Sequence, residues 1–283
     1  MTEARKINAT LAAAIVVYRS DPLWLNRTLA SLAAALEYAH STNVLSAATV
    51  LLVDNAVNVQ ASTHAELLQH HFPPDSTWLI CRAIAGHGNV GYGAAHNMAF
   101  AQVGQPNYLL VLNPDVDIDR SAIANALTYL TDSPDCGMIT PVATDPLGAP
   151  LYLVKDYPAA LTLAIRGYAP AFVRARFRQR LVAYDRANRA FDSQLADARI
   201  VSGCFMLIRQ HVFAGANGFD PAYFLYFEDF DLSYRISMQA KIVRLPGCRI
   251  VHGGGHAARK GLNHALMFLR SACRFFSRHG WRW

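Results

Sequence analysis

The chain has 283 residues, 53% of them apolar and 16% charged, which is ample material for a core and excludes a disordered chain. Its net charge is +6, and much of the excess lies in Arg166–Arg189 and Lys241–Arg282, a clustering that points to an anionic partner such as nucleic acid, a lipid surface or a phosphorylated substrate. Five scattered cysteines with no CxxC pair argue against a disulfide framework or structural zinc and favour a reducing compartment. The apolar stretch Leu11–Tyr18 is too short to span a bilayer and runs into Arg19-Ser20-Asp21-Pro22 instead of a small-residue cleavage site, so it reads as a strand. The expected location is cytoplasmic, either free or peripheral on the inner membrane.

In chain order, Leu11–Tyr18 is a buried parallel strand, followed by a helix over Pro22–His40 with Asp21 as N-cap and proline at its first position. Strands follow at Ala48–Val53, Trp78–Ile84 and Tyr108–Leu112, alternating with helices at Thr63–His71, Ala94–Val103 and Ser121–Leu130. Repeated β-α units imply a doubly wound, mostly parallel sheet whose ligand sits at the carboxyl ends of the strands. Beyond Pro141 the pattern changes. A helical insertion is expected over 151–197, then strands at Val201–Arg209 and Lys241–Val251, and a closing helix from about Lys260 to Phe276. The expected division is 1–140, 141–258 and a basic, aromatic helix over 259–283.

Four features carry chemistry. Gly86-His87-Gly88-Asn89-Val90-Gly91 matches GxGxxG and lies between a strand and a helix. It sits in the third β-α unit, however, and no acid ends the next strand at ribose spacing, so an NAD(P)-dependent oxidoreductase is the weaker reading. A plain glycine turn is one alternative. The stronger one is a loop whose bare backbone admits a nucleotide, with Asn89 and Asn97 supplying hydrogen bonds.

Asn113-Pro114-Asp115-Val116-Asp117-Ile118-Asp119 sets three carboxylates at alternate positions just past a strand. A divalent cation bridging a diphosphate would relieve their mutual repulsion. Asp115 is the expected ligand, Asp117 stays open, and Asp119 is read as a helix cap. Phe227-Glu228-Asp229-Phe230-Asp231 surrounds acids with aromatics, which raises a carboxyl pKa and suits a general base, although a helix start also favours acids. His252 ends a strand beside Gly253-Gly254-Gly255-His256, where either histidine could reach a metal. In the tail, Arg270, Arg274, Arg278 and Arg282 recur every four residues beside aromatics, which suits an anionic membrane as well as a plain packing helix. No nucleic-acid recognition module accompanies the patch.

With these residues set out, the chain resembles family 2 glycosyltransferases of GT-A fold, especially bacterial rhamnosyltransferases. The likeness runs through Val53-Asp54-Asn55, Gly88–Gly93 with Asn97, Leu112–Val116, Gly203–Arg209, Gly218-Phe219-Asp220, Tyr226–Arg235 and His252. It implies a Rossmann-like nucleotide half and a helical acceptor-side insertion. It further implies that Tyr18, Asp54, Asn89, Gly91, Asn97 and Asn113 bind the nucleotide-sugar, and that Asp115, His252 and Asp117 hold Mg²⁺ or Mn²⁺. Asp229 would be the catalytic base, with Glu228 and Gly203 on the acceptor side. Asn113 stands where the family commonly has the first acid of Asp-x-Asp, a departure typical of the rhamnosyltransferase branch. The implied donor is dTDP-rhamnose, with a UDP-sugar such as UDP-galactofuranose as rival. The implied acceptor is a glycan or lipid-diphosphate-linked glycan in cell-surface polysaccharide synthesis, with a peripheral membrane contact through the C-terminal helix and no nucleic acid.

Overall fold

The computed structural model describes residues 7–56, 61–73, 75–254 and 261–283. Its first half lays down β1 (Ala9–Val17), α1 (Pro22–Ser41), β2 (Leu45–Asp54), α2 (Ala61–His71), β3 (Leu79–Ile84), α3 (Tyr92–Phe100) and β4 (Tyr108–Leu112). Then come β5 (Val116–Ile118), α4 (Ala122–Asp132) and β6 (Cys136–Thr144). A region of short elements follows: β7 (Pro150–Leu151), β8 (Val154–Lys155), α5 (Ala160–Tyr168), α6 (Ala171–Arg176), α7 (Arg178–Tyr184), β9 (Leu195–Ala198) and β10 (Ile200–Val201). The chain closes with β11 (Phe205–Arg209), α8 (Gln210–Gly215), α9 (Glu228–Ser237), β12 (Lys241–His252) and α10 (Gly261–His279).

Among the described residues the main sheet runs β3-β2-β1-β4-β11-β6-β12-β5. Strands β1 to β4 pair in parallel, as do β6 and β12, while β11 is antiparallel to both of its neighbours. The sheet is therefore α/β and mostly parallel, and it crosses residue 140 without a break because β6 spans that position. Burial on both faces explains the continuous apolar runs: Leu109, Leu110, Val111 and Leu112 are all 2% exposed or less. The α1 cap is as expected, with Asp21 accepting the Leu23 and Trp24 N–H groups. The N-cap of α4 is Ser121, and Asp119 accepts its N–H and hydroxyl, so Asp119 braces the cap residue and does not cap the helix itself.

Three further expectations change. The helical insertion over 151–197 is three short helices framed by short strands; Pro158 keeps α5 from starting earlier and Pro170 keeps it from running on into α6. The strand expected over Val201–Arg209 is interrupted by Ser202-Gly203-Cys204. The third concerns the basic face of α10, whose arginines stay exposed but are partly paired within the fold. Arg274 and Arg278 both pair with Asp220, and His279 meets Asp231 at 2.8 Å. Phe275 and Phe276 are buried in an aromatic cluster with Tyr223 and Phe227. That helix is thus a packing element as well as a surface one.

Candidate functional site

Parallel pairing brings the ends of β1, β2, β3 and β4 to one edge of the sheet, with Val17 opposite Asp54, Val53 opposite Ile84 and Ile15 opposite Leu112. Tyr18, Asp54, the Gly86–Gly91 loop and Asn113-Pro114-Asp115 therefore open at the same edge. Asp54 is buried. Its carboxylate accepts the Ala56 N–H at 2.7 Å and lies 3.3 Å from His64 Nε2. Tyr18 is half exposed, with the Arg19 guanidinium 5.5 Å from its ring centre. Asn55 ties this edge to the glycine loop by donating to Gly91 O at 3.1 Å.

Asp115 and His252 form the first cluster. The His252 ring Nε2 lies 3.2 Å from Asp115 Oδ1, and both atoms are buried without a hydrogen-bond partner. Gly253 donates its N–H to Asp115 O at 2.8 Å, while a Cβ on Gly254 would fall on Asp115 Oδ2 and one on Gly253 would fall on the Trp24 ring. These two glycines serve close packing, not the reach inferred from a glycine run. Gly255 and His256 lie outside the described residues. An imidazole nitrogen and a carboxylate oxygen, both orphaned and adjacent, suit a divalent cation that draws its remaining ligands from diphosphate and water. Among the described residues no group of three or more such side chains gathers around one point.

Asp229 is the centre of the second cluster. Glu228 and Asp229 occupy the first turn of α9, entered through Tyr226 and Phe227 at φ +69° and +65°. Left-handed backbone costs a non-glycine residue roughly 1–2 kcal/mol. Burying Phe227 against Phe230, Phe268 and Phe275 offsets a cost of that size. The strained entry aims Asp229 at the loop between β10 and β11. There Gly203 donates its N–H to Asp229 Oδ2 at 2.8 Å, and Phe230 donates to Oδ1 at 2.9 Å. A Cβ on Gly203 would stand 3.0 Å from Asp229 Cβ, so glycine permits this approach.

Burial raises the Asp229 pKa to about 6 against the lowering effect of those N–H groups. Glu228, 5% exposed, is pushed well above the usual carboxyl range by burial and by Asp229, and its Oε2 has no partner. Burial outweighs the helix-end preference for negative charge at both positions.

Tyr92 connects the two clusters. Its hydroxyl is 2.8 Å from Asn113 Oδ1 and 2.8 Å from Gly203 O. Burial, reinforced by Cys204, Glu228, Asp229 and Asp115, raises its pKa well above 10, which keeps it a proton donor. Cys204 is buried between the same carboxylates, and its thiol is pushed up to about 12, so it stays neutral. In the sequence Tyr92 stands out only as part of the Gly88–Gly93 stretch. Its sole signal was its place as the first residue of α3, directly after Gly91.

Other expected residues are engaged elsewhere. Asp117 pairs with Arg27 on α1 at 2.6 Å, which satisfies it without a cation. Asn97 holds the backbone of Phe219 from both sides, donating to its carbonyl at 2.7 Å and accepting its N–H at 3.0 Å, so its amide positions a loop. Asn89 accepts the Gly91 N–H at 3.0 Å and shapes the turn. Gly91 has φ +91°, and a Cβ there would stand 2.5 Å from Phe224 O, so the close approach at this glycine is made by the protein's own loop. Gly86 and Gly88, also at positive φ, have nothing within 4 Å of such a Cβ.

No family model matches the chain. It is 27% identical over 280 residues to N-acetylglucosaminyl-diphospho-decaprenol L-rhamnosyltransferase from two strains of Mycobacterium tuberculosis, covering 94% of this chain and 84% of the relative. Rhamnosyltransferase WbbL of Escherichia coli K12 is 24% identical over 214 residues, covering 70% and 76% of the two chains. Among solved structures, GalNAc-T7 with UDP, GalNAc and Mn²⁺ superposes at a TM-score of 0.64 and 13% identity over 96% of this chain. The mannosyltransferase PcManGT from Pyrobaculum calidifontis with GDP-Man and Mn²⁺ gives 0.60 at 15% identity over 93%. S. aureus TarS residues 1–349 give 0.55 at 14% identity over 95%. The chain spans 48%, 64% and 72% of those three structures. The fold is GT-A.

Proposed function

We infer that this chain, a glycosyltransferase akin to the bacterial rhamnosyltransferases, transfers L-rhamnose with inversion from dTDP-rhamnose to a hydroxyl of a lipid-diphosphate-linked glycan in cell-wall polysaccharide synthesis. The observation that carries this reading is the single cluster in which Tyr92 joins the Asn113–Asp115 turn to the Gly203–Asp229 pair. The acceptor class follows the relative named for N-acetylglucosaminyl-diphospho-decaprenol, which spans most of both chains.

In this mechanism Asp229 is the base. Its pKa near 6 leaves it ionised yet still proton-hungry at neutral pH. The N–H groups of Gly203 and Phe230 fix the carboxylate plane toward the acceptor hydroxyl. As the hydroxyl oxygen attacks the anomeric carbon, its proton passes to Asp229 and the nucleoside diphosphate leaves from the opposite face. Glu228, held protonated by burial, donates a hydrogen bond to the acceptor. Asp54 and Tyr18 line the base end of the donor, and the open backbone at Gly86 and Gly88 admits its phosphates.

Asp115 and His252 are the residues that would hold Mg²⁺ or Mn²⁺. Such an ion supplies positive charge to the departing diphosphate. Asp117 is left out of this ligand set by its pairing with Arg27. Among the described residues no helix is long and apolar enough to cross a membrane; the lipid-linked substrate in the name of the Mycobacterium tuberculosis relative is what supports a peripheral place at the inner membrane face.

The test is nucleoside-diphosphate release over dTDP-rhamnose, UDP-galactofuranose and other sugar nucleotides, with a GlcNAc-diphospholipid acceptor, in EDTA or Mn²⁺. Acceptor-dependent release of dTDP is expected in Mn²⁺ alone. Release only from UDP-galactofuranose would move the donor to the rival sugar. No release from any donor, together with thermal stabilisation by NAD(H), would favour an oxidoreductase.

A further inference from the structure

The segment from α5 to α7 leaves a surface that the fold does not use. Along α5, Thr162 and Ile165 are buried while Leu161, Ala164 and Tyr168 are exposed, the spacing of one helical face. That outward face is apolar. Helix α6 buries none of its residues, and Phe172 on it is 76% exposed. Arg174, Arg176 and Arg178 are exposed, and none has an ion-pair partner among the described residues. No acid occurs from Arg166 to Tyr184.

The C-terminal tail adjoins this surface. Ala160, at the start of α5, donates its N–H to Arg282 O at 2.8 Å, and the Arg282 guanidinium sits 4.2 Å from the Tyr157 ring centre. Trp281 stacks on Phe276, and Trp283, 78% exposed, stacks on Trp281.

We propose that α5, α6 and the Trp281–Trp283 tail form one surface that docks on an anionic bilayer. Charge complementarity selects the occupant: unpaired arginines interleaved with exposed aromatics, and no acid, match lipid phosphates above an acyl boundary. Tryptophan and tyrosine at the rim are the residues that favour that interface. The surface is distinct from the Arg274–Arg278 face of α10, which is spent on Asp220. It reaches the helix that carries the site's carboxylates, because Tyr157, under the Arg282 guanidinium, packs edge-on against Tyr234 of α9, whose first turn holds Glu228 and Asp229. On the transferase reading, on which this placement rests, a docked enzyme meets a lipid-anchored acceptor without lifting it from the membrane.

Vesicle flotation of the full chain tests this, using phosphatidylcholine alone and phosphatidylcholine mixed with phosphatidylglycerol. The protein should float with the anionic vesicles only, and less so at high salt. Replacing Arg174, Arg176 and Arg178 together by glutamine should weaken binding roughly a hundredfold, from about 1 kcal/mol per arginine near the surface. If that variant loses its native circular dichroism, the pair Phe172→Ser and Trp283→Ala, which touches no arginine, carries the same comparison. Equal flotation of wild type and variants, equal binding to both vesicle types, or preference for DNA over vesicles would overturn the proposal. Calorimetric binding of dTDP with Mn²⁺, measured on the same samples, separates the two readings. Intact dTDP binding without flotation sinks the docking surface alone, and flotation without dTDP binding sinks the donor reading alone.

Discussion

Gly203 and Asp229 are joined by a 2.8 Å hydrogen bond from backbone N–H to carboxylate, and Gly203 O is in turn 2.8 Å from the Tyr92 hydroxyl. Because the same hydroxyl reaches Asn113 Oδ1, one phenol links the turn that would face the diphosphate to the loop that holds the base.

Tyr92→Phe removes that link and keeps the ring. Leaving Asn113 Oδ1 and Gly203 O short of a buried partner costs about 1–3 kcal/mol. We predict a kcat lower by roughly 10-fold or more, with dTDP affinity little changed, because the lost contact aligns the two halves and does not bind the nucleotide. Steady-state kinetics beside calorimetry check it. A change confined to KM would assign Tyr92 to donor binding instead.

The raised Asp229 pKa sets a pH dependence. A protonated carboxyl cannot accept the acceptor proton, so activity should fall as pH drops through about 6 and level off above it. An ordinary carboxylate would keep its activity down to pH about 4. The pH profile of kcat/KM with dTDP-rhamnose distinguishes the two.

Much of this was legible in the sequence. Asp21-Pro22 announced the start of α1, and the apolar run Tyr108–Leu112 announced β4, because capping and burial are written into neighbouring residues. The acids among the aromatics at 227–231 were legible as a group, since burial of a carboxyl follows from its surroundings. What stayed hidden depends on distant partners. Arg27 on α1 claims Asp117, Phe219 claims the Asn97 amide, and Asp220 claims the arginines of α10. No local pattern reports such pairings. The regular spacing of Arg270, Arg274 and Arg278 therefore suggested a free basic face where two of the three are paired.

Asp115 and His252 offer two donors, so cation binding should depend on both and on the nucleotide. EDTA should abolish transfer and Mn²⁺ should restore it. His252→Ala should raise the Mn²⁺ concentration needed for half-activation by roughly 10–100-fold, the scale of losses around metal sites. Asp115→Asn should lower activity by about 10²-fold or more, since metal stabilisation of a leaving group amounts to several kcal/mol. Asp117→Asn should leave the Mn²⁺ dependence unchanged. Titrating activity against Mn²⁺ in the three variants tests this ordering.

The most direct measurement is acceptor-dependent dTDP release by Asp229→Asn, read beside its calorimetric affinity for dTDP in Mn²⁺. If Asp229 is the base, turnover falls by about 10²–10⁴-fold, while dTDP binds with the wild-type Kd. Wild-type turnover in that variant, with dTDP affinity intact, would contradict Asp229 as the proton acceptor.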